Sequence, residues 1–141
     1  MSRGSLAVMI KKSSLIFDKY ANQLLTPYNL SGSQFRILMK LYKSPDCSVR
    51  QTDIETDFSM TNPTVTGLIN NLEKAGYVER VTNPDDKRSR LLKLTDYAHD
   101  RKDGFFELAA TLENQMTAGL TETEVEILSV LLRKVVEHHK K

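Results

Sequence analysis

Four cationic side chains crowd into one short stretch that is rich in turn-forming residues. The stretch runs from 86 to 93 and carries Lys87, Arg88, Arg90 and Lys93 against a single acid, Asp86. Such a loop could lie along DNA phosphates and place one guanidinium in the minor groove, because narrow A·T-rich grooves concentrate negative potential. Asp86 precedes Arg88 by two residues, so its carboxylate could orient the guanidinium through charge-assisted hydrogen bonds. The alternative is an exposed ion pair without a function, worth about 0–1 kcal/mol.

A second polar set lies on the exposed face of a helix that is predicted to begin near residue 62. The set consists of Thr64, Thr66, Asn70, Asn71 and Lys74. An α-helix fits the major groove of B-DNA, where Asn can pair with adenine through two hydrogen bonds and Thr can offer its hydroxyl or contact a thymine methyl group. An ordinary solvated helix face is the alternative. These five side chains are therefore candidates for base contacts.

Capping residues and apolar periodicity predict the helices that would position these two sets. A helix over about 5–25 is followed by a second one, opened by the capping box from Ser31 to Gln34. A short polar helix over about 50–58 comes next. The fourth helix is expected to have Asn62 as its N-cap and Pro63 at its first position. The third and fourth helices, joined by a few residues, form a candidate helix-turn-helix.

The period then changes from helical to extended. Residues 78–81 and 90–94 are short strand-like runs on either side of the charged loop, which predicts a β-hairpin that must pack on the helices to be stable. Thr95 can cap a long helix through about Ala118, and the capping box that begins at Thr121 opens a last helix to about His138. The predicted fold is mainly α with a small β-hairpin wing, a winged helix-turn-helix with extra helices at both ends.

The last predicted helix has more apolar surface than one face of a peripheral helix needs. Its apolar residues are Val125, Ile127, Leu128, Val130, Leu131, Leu132, Val135 and Val136. The helix is either wedged between others of its own chain or part of an intermolecular interface, which we favour. The first helix would join that interface, and the helix that follows Thr95 would contribute Phe105, Phe106, Leu108 and Leu112. A two-fold symmetric homodimer would present two recognition helices to DNA.

The run from Asn83 to Thr95 resembles the wing signature of the MarR (multiple antibiotic resistance regulator) family, an Asp-x-Arg followed by a strand that ends in Leu-Thr. Residues 64–80 also resemble the recognition helix of that family and the lead into its wing. The resemblance covers the whole chain in element order and is specific from about 51 to 95. It implies a winged-helix homodimer on pseudo-palindromic DNA operators, usually a repressor, with Arg88 in the minor groove and Asp86 as its partner.

The predicted organisation is a single MarR-like domain over 1–141. Within it, residues 31–95 form a winged helix-turn-helix region for double-stranded DNA, and 1–30 and 96–141 form dimerisation helices. A small-molecule pocket could lie where the two parts meet. Its candidate lining is Tyr20, Phe35, Arg36, Met39 and Tyr42, since aromatic and Met side chains make adaptable apolar walls and Arg could receive an anion. The same residues could equally be plain core. The resemblance implies release of DNA by a phenolic or lipophilic ligand.

Composition narrows the remaining classes of function. The chain has 141 residues and a formal net charge of +2, with the positive excess confined to its first 50 residues and the wing loop. No apolar run is long enough for a membrane-spanning helix, and the single Cys47 cannot form an internal disulfide, which favours a cytoplasmic location. His99, His138 and His139 form no catalytic or metal-ligating constellation, so we expect no enzyme activity, no metal and no cofactor.

The favoured hypothesis is a sequence-specific DNA-binding transcription regulator, a dimeric repressor on an inverted-repeat operator. The alternative is a winged-helix protein-interaction module, in which the wing meets an acidic partner and DNA sequence is not recognised.

Overall fold

Local capping signals set most of the helix boundaries in the computed structural model, which describes residues 4–140. Helix α1 spans Gly4–Leu25 and is followed by a single 3-10 turn over Thr26–Tyr28. The remaining helices are α2 (Gly32–Tyr42), α3 (Gln51–Phe58), α4 (Asn62–Lys74), α5 (Asp96–Asp100), α6 (Lys102–Thr117) and α7 (Glu122–His138). The strands are β1 (Val49–Arg50), β2 (Val78–Thr82) and β3 (Arg90–Leu94). The mainly α fold with a small β wing is confirmed.

Both capping boxes that the sequence predicts are formed. The Ser31 hydroxyl accepts a hydrogen bond from the Gln34 backbone N–H, while the Gln34 side chain accepts one from the Ser31 N–H at 2.8 Å. Thr121 and Glu124 make the same reciprocal pair at the start of α7. Each box satisfies amide groups that the first helical turn leaves free.

Two predicted boundaries are wrong. The N-cap of α4 is Thr61, with Asn62 already inside the helix, because Thr61 has extended backbone angles and its carbonyl accepts from the Val65 N–H. The long helix expected from Thr95 to Ala118 is two helices, α5 and α6, that break at Arg101. There the backbone turns at φ −100° and ψ 1°, and the Arg101 N–H bonds back to the Ala98 carbonyl three residues earlier.

The three strands form an antiparallel sheet in the order β1-β3-β2. The pair β2–β3 is the predicted wing, with Val78 opposite Leu94 and Thr82 opposite Arg90. The short strand β1, which the sequence analysis did not predict, places Arg50 opposite Leu91 on the other side of β3. Strand β3 is therefore paired on both sides at Leu91 and Leu92, and β1 leads directly into α3.

The core centres on the aromatic side chain of Phe105, which is 1% exposed. The Phe35 and Tyr28 rings meet it edge to face, with centroids 5.9 and 5.4 Å away. The Tyr42 hydroxyl donates a hydrogen bond to the Ala98 carbonyl at 2.5 Å, and burial raises the pKa of Tyr42 to about 12. This cluster joins α2 to the start of α6, so it connects the helix-turn-helix to the helices that follow it.

Most of α7 lies outside this core. Val125 is half-buried, and the large apolar side chains from Ile127 onward are between two-fifths and just over half exposed, from Leu132 at 41% to Val136 at 55%. A helix wedged within its own chain is therefore wrong for α7. Leu6, Met9 and Ile16 of α1 are exposed in the same way. By contrast, the expected interface residues Phe105 and Leu112 are buried within the chain, because α6 packs them against α1 and α2, and Phe106 and Leu108 are half-buried. No helix within residues 4–140 is long and apolar enough to cross a membrane.

Candidate nucleic-acid interface

A short turn and a buried apolar face set the orientation of α4. Ser59 closes α3 in the left-handed region at φ 52°, which turns the chain into α4. Val65, Ile69 and Leu72 of α4 are fully buried. With that face packed inward, Asn70 and other polar side chains of the helix are left on the outside. Thr64, Asn71 and Lys74 are also exposed, whereas Thr66 is half-buried.

An open groove of about 610 Å³ lies between α4, the start of α3 and the wing. Four arginines line this groove, two acids lie among them, and the polar side chains of α3 and α4 complete its walls. The lining comprises Arg50, Gln51, Thr52, Glu55, Asn62, Thr66, Asn70, Arg80, Asp86, Arg88, Ser89 and Arg90. We call this surface the arginine groove. Its net positive charge and hydrogen-bonding walls suit a polyanion better than an apolar ligand.

The side chain of Arg80, on β2, is fixed against α4 by three contacts. Its Nη1 donates to Asn70 Oδ1 at 2.9 Å and also to Glu73 Oε1, with which it forms an ion pair. Its Nη2 lies 3.4 Å from the Thr66 carbonyl oxygen. The side chain is only 15% exposed. Arg80 therefore ties the wing strand to the middle of the helix.

The first half of α4 has its own hydrogen bonds. Gln51 Nε2 donates to Thr66 Oγ1 at 2.8 Å, which links the start of α3 to α4. The Thr61 and Thr64 hydroxyls are 2.9 Å apart and share one hydrogen bond. Several of the side chains expected to contact bases are thus held in place before any ligand binds, which lowers the entropy lost on binding.

At the wing tip, Asp86 acts on the backbone of Arg88. Asp86 Oδ1 accepts a hydrogen bond from the Arg88 N–H at 3.0 Å, whereas Arg88 Nε is 3.9 Å away. Hydrogen bonds do not extend to 3.9 Å, so the expected hold on the guanidinium through hydrogen bonds is replaced by a turn that shapes the loop. The Arg88 side chain is 97% exposed.

Arg50 stands where β1 passes into α3. Its guanidinium Nη2 is 2.9 Å from Asp53 Oδ1, and its backbone N–H donates to Asp53 Oδ2 at 2.8 Å. These hydrogen bonds stabilise the ionised carboxylate, so they lower the pKa of Asp53. The same pair raises the pKa of Arg50. The carboxylate offsets part of the positive charge at this wall of the arginine groove.

The structure brings together five of the residues expected to contact or orient DNA: Thr66, Asn70, Asp86, Arg88 and Arg90 line the arginine groove. Thr64, Asn71, Lys74 and Lys87 are exposed but lie outside its lining. That all of these contact DNA stays a prediction.

The residues expected to line a small-molecule pocket lie elsewhere. Phe35, Met39 and Tyr42 are buried in the core, and Tyr20 is half-buried against it. Arg36 is exposed, with its guanidinium carbon 4.4 Å from the centre of the Phe58 ring. The pocket stays a prediction.

Seven of the twelve groove-lining residues were not among the predicted site residues, including Arg50, Gln51 and Arg80. A signal existed for Arg80, because it follows the buried Val78 by two residues and so shares its strand face toward the helices. A cation on that face needs a partner.

Comparisons with known proteins agree with this architecture. The model of the MarR family matches residues 30–89. The multiple antibiotic resistance protein MarR of Escherichia coli strain K12 is 30% identical to this chain over 120 residues, which is 84% of this chain and 82% of that protein.

Two solved structures are similar over nearly the whole chain. A mutant MarR from E. coli, complexed with operator DNA, superposes with a TM-score of 0.82 at 28% identity, covering 93% of each chain. The MepR–DNA complex of S. aureus gives a TM-score of 0.81 at 25% identity, covering 98% of each chain.

Proposed function

The chain belongs to the MarR family, and from this premise we propose that it is a sequence-specific DNA-binding transcription regulator. The observation that carries the proposal is the arginine groove, in which the exposed face of α4 and the arginines of the wing line one surface. A helix in the major groove and a cationic wing beside it could then contact one duplex together. The relatives solved with DNA support the same function.

The base-reading residues that we propose are those of α4, and the phosphate and minor-groove residues are those of the wing. The first set is Thr64, Thr66, Asn70, Asn71 and Lys74. The second is Lys87, Arg88 and Arg90, with Asp86 shaping the loop. Arg50 lines the same surface and adds to its positive charge.

We further propose a homodimer in which residues 31–95 bind DNA and 1–30 and 96–141 hold the two copies together. The many exposed apolar side chains of α1 and α7 support this, because large exposed apolar surfaces mark interaction sites. Two-fold symmetry would place two recognition helices about one helical turn apart on an inverted repeat. We propose repression as the regulatory outcome, a cytoplasmic location, and release by a small lipophilic or phenolic ligand.

Selection of bound fragments from random DNA with the purified protein tests the proposal. We expect an inverted repeat with half-sites about one helical turn apart, bound less tightly as salt increases. Recovery of DNA without a common sequence, together with a stoichiometric complex with an acidic protein, would favour the protein-interaction module instead.

A further inference from the structure

The amide oxygen of Asn70 is already used within the chain. Arg80 Nη1 lies 2.9 Å from it. A guanidinium has only donors, so the amide atom that faces it must be the oxygen and cannot be the nitrogen. The contact therefore fixes which way round the Asn70 amide stands.

Arg80 is held in this position by groups other than Asn70. Its Nη1 also donates to Glu73 Oε1, so both hydrogens of that nitrogen are used. The side chain is largely buried between β2 and α4. Asn70 alone is thus not needed to keep the guanidinium in place, and the amide oxygen of Asn70 remains engaged in the free protein.

The Nδ2 group of Asn70 has both its hydrogens free for a ligand, whereas the amide oxygen has only its second lone pair left. Within residues 4–140, Nδ2 has no hydrogen-bond partner, and the exposed residue lines the arginine groove. The nearby Thr66 also offers a hydrogen-bond donor, because its Oγ1 accepts from Gln51 Nε2 and the hydrogen of its own hydroxyl is unused. Both side chains therefore present donors to the groove.

Major-groove base edges differ in how well they match a donor. Guanine presents two acceptors, N7 and O6, whereas adenine presents one acceptor beside an amino donor. Asn recognises adenine by using its oxygen and nitrogen together. The amide oxygen keeps a second lone pair, but the positive guanidinium beside it disfavours the adenine amino group and favours the two acceptors of guanine, which match the two N–H groups.

We propose that Asn70 reads DNA through its Nδ2 donor and prefers a G·C pair, and that Arg80 is the positioning residue that disfavours the paired contact with adenine. This rests on the proposed function and replaces the adenine contact that the sequence alone suggests. Arg80 then affects sequence specificity through Asn70, without contacting a base itself.

Selection of DNA fragments by the parent protein, Asn70→Ala and Arg80→Met tests the proposal. The operator position whose base preference disappears in Asn70→Ala is the one that Asn70 reads. We expect the parent to select G·C at that position, and Arg80→Met to increase the ratio of A·T to G·C there by about tenfold, since the amide is then free to pair with adenine. Lys74→Ala is the matched control, because it removes an exposed cation of the same helix and should lower affinity without changing that preference.

The outcomes separate this inference from the proposed function. If the parent recovers no inverted repeat, the proposed function fails. Three results would overturn the inference alone, given that the parent does recover an inverted repeat. The operator position that Asn70 reads could be A·T, or no operator position could depend on Asn70. A folded Arg80→Met that keeps the base preference of the parent would also overturn it. Should circular dichroism show that Arg80→Met is unfolded, Asn70→Asp decides, because it keeps an oxygen for Arg80 and replaces the donor by an acceptor. Loss of the G·C preference in Asn70→Asp supports the inference, and its retention overturns it.

Discussion

The carboxylate of Asp86 accepts a hydrogen bond from the backbone N–H of Arg88 at 3.0 Å, while the Arg88 guanidinium stands 3.9 Å from the same oxygen. The acid therefore fixes the path of the chain at the wing tip and leaves the arginine side chain extended into solvent. Because no hydrogen bond holds the guanidinium, its movement to a phosphate or into a groove costs little free energy.

Two substitutions of Asp86 should separate its effect on the backbone from its charge. Asp86→Asn keeps an oxygen that can accept from the Arg88 N–H and removes a negative charge near the DNA, so we expect operator affinity equal to or higher than that of the parent. Asp86→Ala removes the side-chain hydrogen bond that shapes the turn, and we expect affinity about three- to tenfold lower. Fluorescence anisotropy with a labelled operator measures both. Equal losses in the two variants would show that the charge matters and the turn does not.

Removal of the exposed guanidinium at the wing tip should weaken binding and reduce its salt dependence. For Arg88→Ala we expect operator affinity roughly ten- to hundredfold lower at moderate salt, with the larger loss on A·T-rich flanks. The slope of log affinity against log salt should fall by about one per subunit. Lys43→Ala, an exposed cation outside the arginine groove, is the control. Parent-like affinity of Arg88→Ala would remove the wing from the interface.

A charge on the apolar face of α7 should separate the two copies. Leu131 is 53% exposed within one chain, so Leu131→Glu leaves the fold of the protomer intact and buries a carboxylate in the proposed dimer, which is strongly unfavourable. We expect a monomer in sedimentation at micromolar concentration and loss of operator binding. Arg133→Glu places the same residue on the polar face of α7 and should remain dimeric. A dimeric Leu131→Glu would exclude this face from the interface.

The buried Tyr42 hydroxyl predicts a loss of stability at alkaline pH. Its pKa is raised to about 12 by burial, whereas an unfolded chain releases this proton near pH 10. Between these values the unfolded state binds fewer protons than the folded state, so the free energy of unfolding falls as pH rises from about 10 to 12. Tyr42→Phe should cost about 1 kcal/mol at neutral pH, since the hydrogen bond to Ala98 is lost, and should reduce the alkaline decline.

Urea unfolding at fixed protein concentration measures both effects. Tyr28→Phe is the control, because it removes the hydroxyl of an exposed tyrosine and should change neither the neutral stability nor the alkaline decline. An alkaline decline as steep in Tyr42→Phe as in the parent would assign the effect to another group.

The two glycines around α4 should respond to alanine in opposite directions. Gly67 is exposed within the helix, and a Cβ there would have no atom within 4 Å, so Gly67→Ala should raise the free energy of unfolding by about 1 kcal/mol. Gly76 has φ +86°, a conformation that strains other residues, so Gly76→Ala should lower it by about 1 kcal/mol. Chemical denaturation measures both values, and a destabilised Gly67→Ala would contradict the first.

The features that the sequence predicted well are those set by local chemistry. The capping boxes at Ser31 and Thr121 depend on residues within a few positions of each other. The wing also follows from local signals, two strand-like runs around a loop of turn formers. Such features need no knowledge of the tertiary fold.

The features that were missed depend on distant or weak signals. Strand β1 has two residues, too few for an alternating pattern, and forms only because β3 is there to pair with it. The break at Arg101 has no Pro or Gly to mark it. The hold of Arg80 on Asn70 joins a strand to a helix, so its consequence for base reading is visible only once both are placed.

The middle position of β3 in the sheet has a consequence for how operators could diverge. Strands β1 and β2 pair with β3 on its two sides, and only the loop 83–89 projects beyond the paired strands. Extra residues inserted in such a loop add little to the entropy cost of closing it. A longer or shorter loop would move the cationic wing tip to a different position on the duplex without changing the strands and helices. The distance that the wing extends along DNA can therefore vary within this architecture.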